Sequence, residues 1–495
     1  MYYIGYDIGS SSIKTALVEV SSGRSIAVVS EPKKEMDMLA LRNGWAEQHP
    51  DDWWKHVCTA TQTLIKNHNI DPTDIVGIGI SYQMHGLVVV DETGVPLRNA
   101  IIWCDSRAVA TGQEAVEALG EETCAGKLLN APGNFTASKL KWVKDNEPEV
   151  YAKIDKFMLP GDYIAYKLSG AIATTISGLS EGILWDFSTQ SLAKWVLDYY
   201  GINEDVVPNL VDTFSIQGHV SEQGAIESGL AQGTPILYRA GDQPNNALSL
   251  NVFNPGEIAA TGGTSGVVYA ITDNMSVKES ARVNNFAHVN HGKDHPRIGK
   301  LLCINGSGIQ YRWLLNNLGV ASYDEMNDLA QEIPIGADGV VILPFGNGAE
   351  RMLHNTELGT RILHLNLNNH HKGHLCRAAL EGIAFAFVYG MEIMKSDGIP
   401  SGVLRAGNDN LFRSDIFSNT IATLLDAEIE IYNTTGAIGA ARACVLHKGD
   451  FNTFGEQIMK NDYVQSFKPL AKKEPYLLAY KRWKKELQVL LMSKQ

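Results

Sequence analysis

Residues 5–14 read Gly-Tyr-Asp-Ile-Gly-Ser-Ser-Ser-Ile-Lys, and nearly the same device returns at residues 261–266 as Thr-Gly-Gly-Thr-Ser-Gly. In both places a short, mostly apolar run enters a turn of glycine and hydroxyl residues, and a second apolar run leaves it. Glycine lets the backbone turn tightly and approach a ligand closely. Successive backbone N–H groups with hydroxyls beside them form a concave anion site. Two such hairpins about half a chain apart predict a duplicated α/β unit and one phosphate chain held from two sides.

At 495 residues the chain is too long for one ordinary core, so two large domains are expected. The best boundary is the polar Asn/Pro/Gly connection at residues 251–256, which gives domains at 1–250 and 251–495. The first half alternates strand-like and helix-like segments. Strands are predicted at 4–7, 13–20, 75–81, 87–90 and 101–103, and helices at 50–67, 137–146 and 161–168. In the second half a helix is predicted near 308–318 and a strand at 340–344. A long helix, apolar on most sides, is predicted at 375–395, with Arg377 and Glu381 paired four residues apart. Small residues at 436–441 would allow close helix packing. The tail at 476–492 reads as a helix that seals a core with Tyr476, Tyr480, Trp483, Leu487 and Leu490.

The net charge of −13 argues against nonspecific binding to nucleic acid or to an anionic membrane, though not against nucleotides. Six scattered cysteines, none in a C-x-x-C pair, read as reduced thiols of a cytoplasmic protein. The N-terminus runs straight into a strand without a basic region, so no signal peptide is expected. No membrane span is expected either, because no apolar run is long enough.

Several constellations can carry chemistry. In the first hairpin Asp7 is placed to position Mg²⁺ or water, Gly9, Ser10 and Ser11 to cradle phosphate, and Lys14 to add a point charge; the plain alternative is a polar β-turn. Gly241-Asp242-Gln243-Pro244-Asn245-Asn246 places an aspartate just before the second hairpin, suited to accept a hydroxyl proton as a phosphoryl group arrives. It also reads as an Asp-capped helix start. Gln83-Met84-His85 and Trp103-Cys104-Asp105-Ser106-Arg107 stand at predicted strand ends, where open α/β sheets bind ligands. Gln83, His85, Asp105 and Arg107 would hydrogen-bond a polyhydroxylated substrate, with Met84 and Trp103 as an apolar wall. Against this stand a core histidine and a structural Asp105–Arg107 pair. The histidines at 364, 370, 371 and 374, and those at 288, 291 and 295, read as solvated loops rather than metal sites. The turn Arg405-Ala406-Gly407-Asn408-Asp409-Asn410 would let backbone approach an adenine or ribose, or is simply a loop.

The order and spacing of these motifs together resemble the FGGY carbohydrate kinases, from about residue 3 to residue 490. The resemblance implies two ribonuclease-H-like (actin-like ATPase) domains with a deep cleft between them. It implies sugar binding and the catalytic base in the first domain, and most of the nucleotide binding in the second. By motif, Asp242 matches the family's base. Met84 and His85 match the pair that contacts D-xylulose in members using that sugar. Gly263, Thr264 and Ser265 match the second phosphate hairpin; Asp7 and Gly9 match the first. The implied reaction moves the γ-phosphoryl group of ATP to the C5 hydroxyl of D-xylulose, with Mg²⁺ relieving repulsion between Asp7 and Asp242, and domain closure excluding water. A homodimer stays open. The chain departs from the family pattern at Tyr82, where glycine is usual, in the polar 405–410 turn, and by an extra residue in Asn347-Gly348-Ala349-Glu350-Arg351. Competing expectations are a kinase for ribulose, gluconate or another polyol, an actin-like chaperone or polymer ATPase, and a silent sugar sensor.

Overall fold

The computed structural model describes residues 1–399, 402–408 and 410–493. The strands that build the two main sheets are β1 (Tyr2–Ile8), β2 (Ile13–Glu19), β3 (Ser25–Glu31), β4 (Ile75–Tyr82), β5 (Pro235–Gly241), β6 (Ile258–Gly262), β7 (Gly266–Thr272), β8 (Ile298–Ile304), β9 (Leu404–Gly407) and β10 (Ile429–Tyr432). The helices that bear on function are α1 (Thr136–Asn146), α2 (Ile176–Glu181), α3 (Asp242–Ser249), α4 (Gly308–Asn317), α5 (Lys372–Ser396), α6 (Gly436–Ala443) and α7 (Glu474–Met492).

The chain forms two compact units. Unit 1 is Met1–Phe253 with Phe286–Ile298 and Thr434–Asp462; unit 2 is Asn254–Asn285, Gly299–Asn433 and Tyr463–Gln495. The polar connection at 251–256 thus falls where the first long segment of unit 1 ends. Residues 286–298 and 434–462, beyond that connection, nevertheless pack with unit 1.

In unit 1 the strands run in the order β3-β2-β1-β4-β5, with Gly218–His219 outside β5 among the described residues. The first three strands are antiparallel, while β4 pairs parallel with both β1 and β5. Glycines within the strands explain what covers this sheet. A Cβ on Gly5 would overlap the Ala437 carbonyl, and one on Gly79 would overlap the Ala440 carbonyl. Helix α6 therefore lies directly on the backbone of β1 and β4, with Ala437, Ala440 and Ala441 fully buried. On its other side a Cβ on Gly439 would overlap Ser249 of α3. The run of small residues is a packing device, as the sequence suggested.

Unit 2 repeats the order as β8-β7-β6-β9-β10, with Tyr463–Phe467 outside β10. Here β6 and β7 are antiparallel, and β9 is parallel to both β6 and β10. Helix α5 is buried along most of its length, and the expected Arg377–Glu381 pair closes at 2.6 Å inside the core. Helix α7 seals the same core: Trp483 is 1% exposed and its Nε1 donates to the Ile342 carbonyl at 2.9 Å.

Differences from expectation concentrate where apolar periodicity is weak. Strands β3 and β5 carry no strong pattern and were not anticipated. The segment expected as a strand at 101–103 is only Ala100–Ile101, with Trp103 in a turn. The reading of 288 and 291 as solvated histidines is overturned. His288 is 1% exposed, with Nε2 3.0 Å from the Val252 carbonyl. His291 sits between the Arg297 carbonyl and Gln190 Oε1 at 3.2 and 3.1 Å. Burial pushes their pKa values down to about 3 and about 4.

Between those values and the ordinary histidine range the unfolded chain binds more protons than the folded one. The stability these groups contribute is therefore complete above about pH 6.5 and is lost as pH falls. We expect His288→Gln to flatten the pH dependence of unfolding free energy between pH 6.5 and 4.5 by about 1.4 kcal/mol per pH unit, the weight of one proton. Urea titrations at four pH values measure this, and an unchanged slope would contradict the assignment.

Candidate active site

The first hairpin closes with Ile8 opposite Ile13, leaving residues 9–12 as its loop, and the Gly9 N–H donates to the Ser12 carbonyl at 3.2 Å. Asp7 lies at the end of β1, opposite Lys14 in the ladder. Ser81 of β4 donates to Asp7 Oδ1 at 3.1 Å. Behind it, a Cβ on Gly436 would come within 2.8 Å of Asp7 Oδ2, so the start of α6 must be glycine to sit there. Burial pushes the Asp7 carboxyl up, and the charge of Lys14 and the Ser81 hydroxyl oppose this. Ser11 and Lys14 are exposed. Ser10 is tied into the scaffold: its carbonyl accepts Gln48 Nε2 at 2.7 Å and its hydroxyl accepts Trp103 Nε1 at 3.2 Å. The Trp103 ring, 54% exposed, thus stands beside this hairpin.

Asp242 is the first helical residue after β5, with Gly241 as the cap. Both sequence readings therefore meet in it, a helix start and a carboxylate at a strand end. Its Oδ1 is shielded from solvent and has no hydrogen-bond partner among the described residues. Burial, then the nearby Asp7 charge, push its carboxyl up to about 7. One turn on, Asn245 donates to the Gly436 carbonyl at 2.9 Å, which joins α3 to the helix behind Asp7.

The Gln83-Met84-His85 loop leaves β4 beside β1, where the Gln83 N–H donates to the Ile8 carbonyl at 2.8 Å. Gln83 is 3% exposed, and both its amide oxygen and nitrogen lack partners among the described residues. His85 takes a left-handed backbone (φ 60°) and its Nδ1 is 3.0 Å from the Glu181 carbonyl. A carbonyl only accepts, so Nδ1 carries the proton there. The ring packs against Phe135 and Phe286, at centroid distances of 4.7 and 5.2 Å.

Two buried side chains that sequence reasoning missed hold or border this loop. Lys139 of α1 reaches the His85 carbonyl at 2.7 Å and the Ile102 carbonyl at 3.1 Å, so it ties the loop to the strand that precedes Trp103. Burial pushes its pKa down to about 7. The other is Glu181, at the end of α2. Neither residue had a sequence signal: Lys139 is one of several lysines in its helix, and Glu181 follows a run of serine, glycine and leucine.

Asp105 and Arg107 are packed inward. Arg107 Nε and Nη2 bind the Asp105 carboxylate at 2.7–3.0 Å, and Nη1 is 2.7 Å from Glu47. Asp105 also accepts the Ala46 N–H at 2.6 Å, and the guanidinium lies 3.9 Å from the Trp45 ring centre. These polar atoms are spent on bonds within the scaffold.

In unit 2 the second hairpin closes with Gly262 opposite Gly266, and residues 263–265 form its loop. Thr264 and Ser265 are exposed. Helix α4 begins against it: the Gly308 and Ile309 N–H groups donate to the Gly263 and Thr264 carbonyls at 3.0 Å each. Glu350 fastens the preceding loop by accepting the Asn305 and Gly306 N–H groups at 2.9 and 2.6 Å, and burial pushes its carboxyl up to about 7. A cavity of about 230 Å³ opens beside the hairpin, lined by Gly263, Thr264, Tyr311, Arg312, Leu411 and Arg413 among others. Gly407 ends β9. Asn408 spends its N–H on the Tyr432 carbonyl (2.8 Å) and its amide on Asn433 Oδ1 (2.9 Å), outside that cavity's lining. Asp409 lies outside the described residues. The histidines near 371 cap a helix: His371 Nδ1 accepts the Gly373 N–H at 3.2 Å, and His374 Nδ1 accepts the His371 N–H at 3.2 Å. No group of three His, Cys, Asp or Glu suited to a metal occurs among the described residues.

Residues 2–249 match the N-terminal domain of the FGGY family of carbohydrate kinases, and residues 258–446 match its C-terminal domain. The chain belongs to this family. It is similar to the xylulose kinase of Haemophilus influenzae, with 31% identity across 86% of each chain. It is similar to that of Bacillus subtilis at 28% identity, across 92% of this chain and 90% of the other. A solved xylulose kinase from Brucella ovis is 26% identical, covers 99% of both chains and has a TM-score of 0.86. The two actin-like α/β domains expected for an FGGY kinase are therefore the fold of this chain, and its activity is that of a carbohydrate kinase. No helix among the described residues is long and apolar enough to cross a membrane.

Proposed function

We propose that the chain phosphorylates D-xylulose at C5 at the expense of ATP, in the cytoplasm, with Asp242 as the general base. The observation that carries this reading lies within unit 1. A half-buried carboxylate, whose solvent-shielded Oδ1 has no hydrogen-bond partner among the described residues and whose pKa is raised, starts a helix beside Asp7, in the same unit as a loop whose buried Gln83 has two amide atoms without partners among the described residues. Buried polar atoms are rarely left without partners, so these point to a polar ligand rich in donors and acceptors. Relatives named as xylulose kinases over nearly the whole chain support the choice of sugar.

In this reading Gln83, Met84 and His85 hold the sugar. His85 is oriented by its Nδ1 bond, and Asp105, Arg107 and Lys139 brace the loop from behind. Trp103 forms an outer wall. Asp242 takes the proton from the accepting hydroxyl as the phosphoryl group transfers. Because the transition state is loose and highly charged, the remaining work is positioning and charge stabilisation. Within unit 1 the N–H groups of residues 10–12 offer fixed dipoles to phosphate oxygens; within unit 2 those of residues 263–265 do the same, and the cavity beside Gly263 takes the nucleoside. Gly407 and Asn408 belong to the same unit as that cavity but lie outside its lining. Asp7 and Asp242 fit Mg²⁺: both are hard oxygen donors with raised pKa values, and two carboxylates suit an ion that keeps water and phosphate among its ligands. When bound, Mg²⁺ supplies charge neutralisation for the phosphates.

A second reading, a kinase for a different ketose or polyol, is favoured by Tyr82. This bulky ring is 1% exposed and packs on Gly161, where a Cβ would overlap it, so the wall behind Gln83 is filled where the family usually has glycine. A coupled ADP-release screen over pentuloses, hexuloses, polyols and sugar acids decides between them. We expect D-xylulose to be preferred. Activity confined to another sugar would replace the substrate, and no sugar-dependent ADP release would overturn the kinase reading.

A further inference from the structure

Glu181 is fully buried at the end of α2, and neither of its carboxylate oxygens has a hydrogen-bond partner among the described residues. The Tyr82 hydroxyl and the His85 backbone face it closely enough to favour its charged form, yet neither closes a hydrogen bond of normal geometry. Its place in the fold is fixed twice. Its carbonyl receives His85 Nδ1. A Cβ built on Gly241 would lie 2.5 Å from Glu181 Oε2 and 2.6 Å from Met84 Cγ, so the carboxyl and the methionine both press on the residue just before Asp242.

The rest of α2 is tied down: Ser177 donates to the Ala287 carbonyl at 3.1 Å, and Ser180 accepts the Ala287 N–H at 2.8 Å. A chain that needed only packing here would use an apolar side chain, because burying an unpartnered carboxyl is costly. Gly241 has no side chain to keep the carboxyl away from the base, and Met84, flexible and unbranched, is the neighbour that can move aside.

We infer that Glu181 is a specificity-determining residue of the acceptor pocket, hydrogen-bonding the hydroxyl next to the one that is phosphorylated. The inference rests on the kinase reading and deepens it. Asp242 faces the accepting hydroxyl, and Glu181 Oε2 lies one residue back along the same strand end, so the group within its reach is the vicinal hydroxyl. Burial, then the neighbouring Asp242 and Asp162 charges, push its carboxyl well up.

The test pairs two variants with two sugars. Glu181→Met keeps volume without hydrogen bonding, and Glu181→Gln keeps hydrogen-bonding atoms at the same positions. Each is assayed with D-xylulose and its 4-deoxy analogue, which lacks the vicinal hydroxyl. With D-xylulose, Glu181→Met should lose about 10- to 100-fold in kcat/KM, as for a buried hydrogen bond left unmade. With the 4-deoxy sugar the loss should shrink to within about threefold of wild type. Glu181→Gln should keep most of the discrimination between the two sugars. The melting temperature of Glu181→Met should hold or rise, because a lone buried carboxyl is removed. Equal losses on both sugars, no loss on either, or a fall in melting temperature with equal losses would overturn the inference while leaving the kinase reading intact. A wild-type enzyme that phosphorylates neither D-xylulose nor any other polyol would overturn both.

Discussion

Asp242→Asn lowers turnover with D-xylulose by about 10²–10⁴-fold, the usual weight of a general base, while ADP and ATP still bind. The reason lies in what the carboxyl is not doing. Its Oδ1 has no hydrogen-bond partner among the described residues, so the change to an amide breaks none of their bonds at that atom. The fold is therefore expected to survive, with melting temperature close to wild type. Lost is the acceptor for the hydroxyl proton, a carboxyl whose pKa is held up by burial and then by the Asp7 charge. Steady-state kinetics with nucleotide titration separate the possibilities. Turnover within tenfold of wild type would remove Asp242 from the role of base. A collapse of nucleotide affinity in step with turnover would give it to the cation instead.

The largest expected loss of stability comes from one methyl group. Gly79→Ala puts a Cβ into the Ala440 carbonyl, backbone against backbone, in the middle of the sheet of unit 1. Neither β4 nor α6 can rotate a side chain out of the way, so the helix must lift. Overpacking of this kind costs about 3 kcal/mol, to be read as a shift in the urea unfolding midpoint. Gly126→Ala is the control: that helical glycine has open space where its Cβ would go, and the change should stabilise by up to about 1 kcal/mol. If Gly79→Ala shifted the midpoint no more than the control, the close seat of α6 on the sheet would be wrong.

These two residues also show what a sequence makes legible. The setting of Asp242, a strand end followed by a helix start, was readable because the glycine before it and the polar residues after it mark both. The two hairpins were readable because glycine and hydroxyls between apolar runs have few other uses. Strand β5, which delivers Asp242, was not. Its Pro-Ile-Leu-Tyr-Arg-Ala-Gly sequence has no alternation, since the strand is buried on both faces and Arg239 is satisfied by Asp162 at 3.0 Å. Asp105 and Arg107 looked like ligand contacts because charge in a strand-end loop usually faces solvent; only tertiary packing reveals that Trp45 and Glu47 enclose them. Lys139 and Glu181 were invisible for the same reason. A lysine and a glutamate are surface residues by default, and nothing local says that these two are buried.

The seat of α6 has a consequence for how the protein is made. The helix that covers β1 and β4 is encoded more than 350 residues after Gly79. During synthesis the first sheet emerges early, but the face it offers at Gly5 and Gly79 stays bare until most of the chain has left the ribosome. Unit 1 cannot be finished in the order in which it is translated. A fragment that stops after residue 253 would expose Tyr3, Ala16 and Leu237, which normally pack with Ala437, Ile438 and Ala441. Such fragments should aggregate or call on chaperones, and supplying residues 434–462 as a separate peptide should rescue them.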